Sequence, residues 1–156
     1  EYRHEEIKKI LNYVVTGKFC QVVSIPGVGK ATLMKLLAHN RNVLKFHLQE
    51  KEASVRFIYL NLLDLTNYQA NQIAKFLLSA LDQKTSESED PIALIKQLNE
   101  TINKLTEQEK ILVFLFDHFD EYQNRLPRAF FQMLATANSL AKYKFAAVFA
   151  TRRNLE

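Results

Sequence analysis

The stretch Ser24-Ile25-Pro26-Gly27-Val28-Gly29-Lys30-Ala31-Thr32 decides how the chain is read. It follows a short apolar run, Phe19 to Ile25, whose composition predicts a β-strand closed by Pro26-Gly27. It leads into Lys30 to His39, where Leu33, Leu36 and Leu37 recur on one side of a predicted helix. The 156 residues hold three glycines, Gly17, Gly27 and Gly29, and two of them stand two apart directly before a lysine. Glycine tolerates positive φ and lets neighbouring amides turn inward together, so such a junction can close around an anion. The first turn of the helix adds partial positive charge, and Lys30 can reach outward to terminal phosphates. A glycine turn that simply starts a helix is the plainer alternative.

Outward from this loop, strand and helix patterns alternate. Ile7, Ile10, Leu11 and Val14 predict a helix over residues 4 to 15, ended by Gly17. Residues 40 to 54 are charged and mixed, with room for another helical turn or two. Arg56 to Leu63 reads as a second strand. Thr66-Asn67-Tyr68-Gln69 has capping-box spacing and predicts a helix to about Leu81 that buries Ile73, Phe76, Leu77 and Leu81. Gln83 to Asp90 is a polar loop, and Asp90 with Pro91 opens a further helix carrying Ile95, Leu98, Ile102 and Leu105. Two heptads are too few for a coiled coil, so these residues belong to a core. Ile111 to Phe116 is apolar at every position, as in a parallel strand covered on both faces. Leu126, Phe130, Met133, Leu134, Ala137 and Leu140 line the next helix, and Phe145 to Ala150 is a last buried strand. This alternation predicts a three-layer α/β/α domain with a mainly parallel sheet and right-handed crossovers.

Composition sets bounds on function. Apolar residues make up 47% and charged residues 24%, which excludes a disordered chain. The net charge of +4 is spread along the sequence and permits a polyanionic partner without requiring one. Cys20 is the single cysteine, so no intramolecular disulfide forms. The longest apolar run, residues 111–116, is far short of a membrane span, and no export signal opens the chain. A cytoplasmic protein is expected.

Two further strand ends carry polar chemistry. The third strand runs into Asp117-His118-Phe119-Asp120-Glu121, and open α/β sheets place ligand-binding residues at the carboxyl ends of their strands. Asp117 is the candidate magnesium partner, and His118 follows it. The alternative is that these acids only begin the next helix. The last strand ends in Thr151-Arg152-Arg153, where a cation beside phosphates could sense the γ-phosphate, the alternative being a solvated basic terminus. His4, His39 and His47 are scattered, so His118 has no zinc-binding companions.

In order, these residues resemble the motifs of P-loop nucleotide triphosphatases of the AAA+/STAND branch. Ser24 to Thr32 resembles Walker A, Gly-x-x-x-x-Gly-Lys-Ser/Thr, with Ser24 in place of the first glycine and Ala31 in place of the magnesium-binding hydroxyl. The resemblance implies that Pro26, Gly27, Val28, Gly29, Lys30, Ala31 and Thr32 bind the phosphates of ATP or ADP. It also gives Lys30, Asp117, His118 and Arg152 catalytic roles and makes Asp117 the Mg2+ ligand. The strand end at Asp117 resembles Walker B, with His118 where most relatives carry the acid that polarises water. Thr151-Arg152 is similar to the Thr-Thr-Arg ending of STAND and NB-ARC modules. Tyr2-Arg3-His4-Glu5-Glu6-Ile7 resembles the segment that lies near the adenine in those families.

The family order 5-1-4-3-2 implies an ASCE-type sheet of order 1-4-3-2 here, with the fifth strand and the helical lid absent. Residues 1–156 would then form one nucleotide-binding domain from the amino-terminal part of a longer ATPase. The implied function is an ATP-binding switch with weak or partner-dependent hydrolysis, since Ala31 offers magnesium no oxygen. The alternative is a non-hydrolysing scaffold for protein–protein interaction through helices such as 91–105. A protein partner or self-oligomer is implied in the longer protein. Nucleic acid enters only by family analogy, and no membrane contact is implied.

Overall fold

The computed structural model describes residues 3–24, 55–82, 88–122 and 124–152, with the backbone alone for 3–7, 22–24, 121 and 152. Helix α1 (Arg3–Val14) leads to strand β1 (Cys20–Ser24). Strand β2 (Val55–Asn61) is followed by a 3-10 turn (Leu62–Asp64), helix α2 (Ala70–Ala80) and helix α3 (Pro91–Leu105). Strand β3 (Ile111–Asp117), the short helix α4 (Phe119–Tyr122), helix α5 (Arg128–Leu140) and strand β4 (Phe145–Arg152) complete the described order. The helix predicted over residues 30–39 and the mixed stretch 40–54 lie outside the described residues.

The four strands form one parallel sheet in the order β1-β4-β3-β2, as the family order implied. Its two faces follow directly from the alternation of side chains along each strand. Leu112, Phe114 and Phe116 face the same side as Phe145, Ala147 and Phe149, and there they meet Ile73, Leu77 and Leu78 of α2, Leu94, Leu98 and Ile102 of α3, and Phe130 and Leu134 of α5. Val113 and Leu115 point the other way with Ala146, Val148 and Ala150, against Ile10, Leu11 and Val14 of α1. The result is the three-layer α/β/α arrangement. Burial on both faces is why β3 carries no polar residue before its last position.

Aromatic rings lock the two central strands together. Phe116 stacks on Phe149 with centroids 5.4 Å apart, and Phe114 meets Phe145 edge-on at 5.0 Å. Such pairs each add about 0.5–1.5 kcal/mol beyond the area they bury.

Four expectations need correction. The second strand ends at Asn61 rather than Leu63, because the Asn61 side chain accepts a hydrogen bond from the Leu63 amide at 3.0 Å and starts the 3-10 turn. The capping box does not form: α2 begins at Ala70, and the Gln69 amide donates instead to Oδ1 of Asn67 at 3.0 Å. Phe76 is half-buried rather than buried. Leu140 is 52% exposed, because the last turn of α5 runs past the edge of the core. Asp90 does cap α3, its Oδ1 accepting from the Ile92 amide at 3.1 Å with Pro91 in the first turn.

Candidate functional site

The site is built at the carboxyl edge of the sheet. Register places Ser24 of β1 beside Arg152 of β4, and Asn61 of β2 beside Asp117 of β3. The strand that feeds the glycine loop therefore ends next to the strand that carries the candidate sensing arginine. Pro26, Gly27, Val28, Gly29, Lys30, Ala31 and Thr32 lie outside the described residues, as does the side chain of Arg152.

Asp117 is the best-defined member. It is 3% exposed, one of three buried polar residues among those described, with Thr106 and Thr151. Its Oδ1 accepts from the His118 amide at 2.9 Å, and its Oδ2 accepts from the Tyr59 hydroxyl at 2.7 Å. Burial and the adjacent carboxylate, with a smaller contribution from Asp64, push the Tyr59 hydroxyl well above its ordinary range, so it stays a proton donor.

His118 adopts φ 63°, in the left-handed region that costs a non-glycine residue about 1–3 kcal/mol and persists where its surroundings enforce it. Those surroundings are visible. The Phe119 ring, immediately after it, lies 4.7 Å from Phe149 and 6.2 Å from Phe131, which pins the chain as it leaves β3. The turn sets His118 Nε2 3.8 Å from Asp117 Oδ2. Asp120 and Glu121 do lie in a helix, α4, but Asp117 stands before it within the strand and is buried.

At β4, Thr151 is 4% exposed and its Oγ1 accepts from Nε2 of Gln21 on β1 at 3.2 Å. Tyr59 and Gln21 are site neighbours that local sequence patterns do not mark. Tyr59 breaks the apolar parity set by Val55 and Phe57, a weak signal that becomes meaningful only once β2 is paired to β3. Tyr59 also forms one wall of a cleft of about 540 Å³, shared with Asn61, Asp64, Thr66 and Lys75.

The oxygens present suit a hard cation. Asp117 offers a buried carboxylate, and Oδ1 of nearby Asp120 in sequence is buried with no hydrogen-bond partner. Among the described residues no three His, Cys, Asp or Glu side chains gather into a metal-binding group, so such a cation would take its remaining ligands from phosphate and water. No helix among the described residues is long and apolar enough to cross a membrane.

Several solved structures share this fold. The ORC2 protein of Aeropyrum pernix in its ADPNP–ADP complexes superposes with a TM-score of 0.61 at 15% identity, over 96% of this chain and 40% of that one. Drosophila ORC bound to DNA gives 0.62 at 20% identity, over 96% and 37%. The ORC1 protein of A. pernix in complex with DNA gives 0.61 at 16%, over 97% and 38%. The chain thus spans less than half the length of these proteins. No curated protein matches the sequence. The model of the ATPase family associated with various cellular activities (AAA) matches residues 21–154, a span that takes in the glycine loop, Asp117 and Arg152, and the chain belongs to that family of P-loop NTPases.

Proposed function

We propose that this domain is an ATP- and ADP-binding switch of the AAA+ class, with hydrolysis that is weak or depends on a partner. The observation that carries the proposal is the placement of Asp117: a buried carboxylate ending a central parallel strand, on the sheet edge where Ser24 and Arg152 also finish. On this assignment the amides of Gly27 to Thr32 cradle the phosphates and Lys30 contacts the outer ones. Asp117 holds magnesium directly or through water, and Arg152 reads the γ-phosphate from the tip of β4. Magnesium held by Asp117 would neutralise negative charge that builds up on the phosphates.

Weak hydrolysis follows from two residue types. Ala31 has no side-chain oxygen where the family motif carries a hydroxyl, and His118 lacks the fixed negative charge of a water-polarising acid. Nε2 of His118 lies 3.8 Å from Asp117 Oδ2, so the ring stands against the carboxylate. The Thr151-Arg152 ending further favours the STAND and NB-ARC branch, in which the domain, at 1–156, is a single module of a longer protein working with a protein partner or a second copy. Contact with nucleic acid rests on the DNA-bound likenesses and the +4 net charge.

The second reading, a scaffold that binds nucleotide without hydrolysing it or not at all, draws on the same Ala31 and His118. Calorimetric titration of ATP and ADP, with and without magnesium, separates the two. Magnesium-dependent affinity with slow turnover supports the switch, and no affinity for either nucleotide overturns it.

A further inference from the structure

The Asp117 carboxylate is held from two directions. The His118 amide takes Oδ1 from within its own strand end, and the Tyr59 hydroxyl takes Oδ2 from the neighbouring strand. Register explains how Tyr59 reaches it: Tyr59 stands opposite Leu115 and Asn61 opposite Asp117, so the tyrosine lies diagonally across the strand pair, within reach of a long side chain. One donor on each oxygen fixes both the position and the rotation of the carboxylate.

The hydroxyl is not needed to hold the strands together. β2 and β3 are already in register along their whole length, from Val55–Ile111 to Asn61–Asp117. Nor does packing demand the ring in this place, since Tyr59 is 38% exposed on the wall of the cleft. The hydroxyl donates to Oδ2 of Asp117 at 2.7 Å.

We propose that Tyr59 is a positioning residue for magnesium at Asp117, aiming the carboxylate from β2 without itself touching metal or nucleotide. The inference rests on the assignment of Asp117 made above. Hydrogen-bond partners of ligating carboxylates commonly account for about 10–100-fold in metal affinity.

The test is ADP binding to the whole domain by titration calorimetry across a magnesium chloride series, for wild type, Tyr59→Phe and Asn61→Ala. Tyr59→Phe keeps the ring and removes the hydroxyl. It is expected to raise the magnesium concentration for half-maximal effect by about tenfold, with ADP affinity in EDTA unchanged. Asn61→Ala removes the acceptor of the Leu63 amide and loosens the end of β2 while keeping the Tyr59 hydroxyl, and its magnesium midpoint is expected to match wild type. An unshifted midpoint in Tyr59→Phe, or an equal shift in both variants, overturns the inference while leaving Asp117 as the magnesium residue. Wild-type ADP binding that ignores magnesium removes the Asp117 assignment and this inference with it.

Discussion

Gly17 lies so close to Tyr143 that a Cβ at Gly17 would stand 2.3 Å from the Tyr143 carbonyl oxygen. Gly17 also has φ +77°, a conformation that side chains other than glycine rarely adopt. The obstructing atom is backbone, so it cannot swing aside. Gly17→Ala is therefore expected to destabilise the domain by about 2–4 kcal/mol. In a thermal melt this lowers the midpoint by roughly 5–15 °C. A change under about 2 °C would show that the α1–β1 turn repacks freely.

The same corner depends on Asn138. Its Nδ2 donates to the carbonyls of Gly17 at 2.9 Å and Phe145 at 2.7 Å, tying the turn before β1 to the start of β4. Asn138→Ala leaves both acceptors without that donor and is expected to cost about 1–3 kcal/mol in urea unfolding. Asn138→Asp should cost more, because it turns a carboxylate oxygen toward two carbonyl oxygens. If the two variants prove equally stable, the two carbonyls are not what Asn138 serves.

Cys20 gives a pH dependence with a definite sign. Burial pushes its thiol up from 9.0 to about 11. The folded state thus disfavours the thiolate that the unfolded chain forms from about pH 9. Its contribution to stability is complete below that pH and lost as the pH climbs to about 11, a total of up to about 2–3 kcal/mol. Wild type should lose this much more than Cys20→Ala between pH 8.5 and 11 in denaturant titrations. Parallel curves would contradict it.

Lys30 and Asp117 should fail in different ways. Lys30→Ala is expected to weaken ADP binding about 10–100-fold with or without magnesium, because the role proposed for Lys30 is a charge-assisted contact to phosphate. Asp117→Asn should keep the magnesium-free affinity and abolish the response to magnesium. Calorimetry on both variants checks this pattern. Equal losses under both conditions for Asp117→Asn would place the carboxylate outside the metal position.

Ala31→Ser places a hydroxyl at the position where the family motif carries one. If the missing oxygen limits turnover, phosphate release from ATP in the presence of magnesium should rise about tenfold or more. An unchanged rate would move the limitation to His118.

How far the chain is legible from its sequence varies with the range of the interaction. Ile111 to Phe116 announces a doubly covered strand because each position must be apolar when both faces are packed, and the faces do divide Leu112, Phe114 and Phe116 from Val113 and Leu115. Asp90-Pro91 is legible for a local reason, since its cap satisfies an amide two residues away. Thr66 to Gln69 misleads because Asn67 competes for the same amide with a tighter turn. The glycine loop and the helix predicted after it lie outside the described residues. Tyr59 is illegible for the opposite reason: its partner is 58 residues away, and only the β2–β3 register brings them together.

Among the described strands β1 bonds to β4, and Gln21 reaches Thr151 across 130 residues of chain. At ribosomal speeds of about 5–20 residues per second, roughly ten seconds separate the emergence of these two partners. Until then the nascent segment leading to the glycine loop has no β4 neighbour to complete its hydrogen-bond ladder. A part made early is thus clamped late, which makes that interval the natural window for chaperone engagement or mispairing.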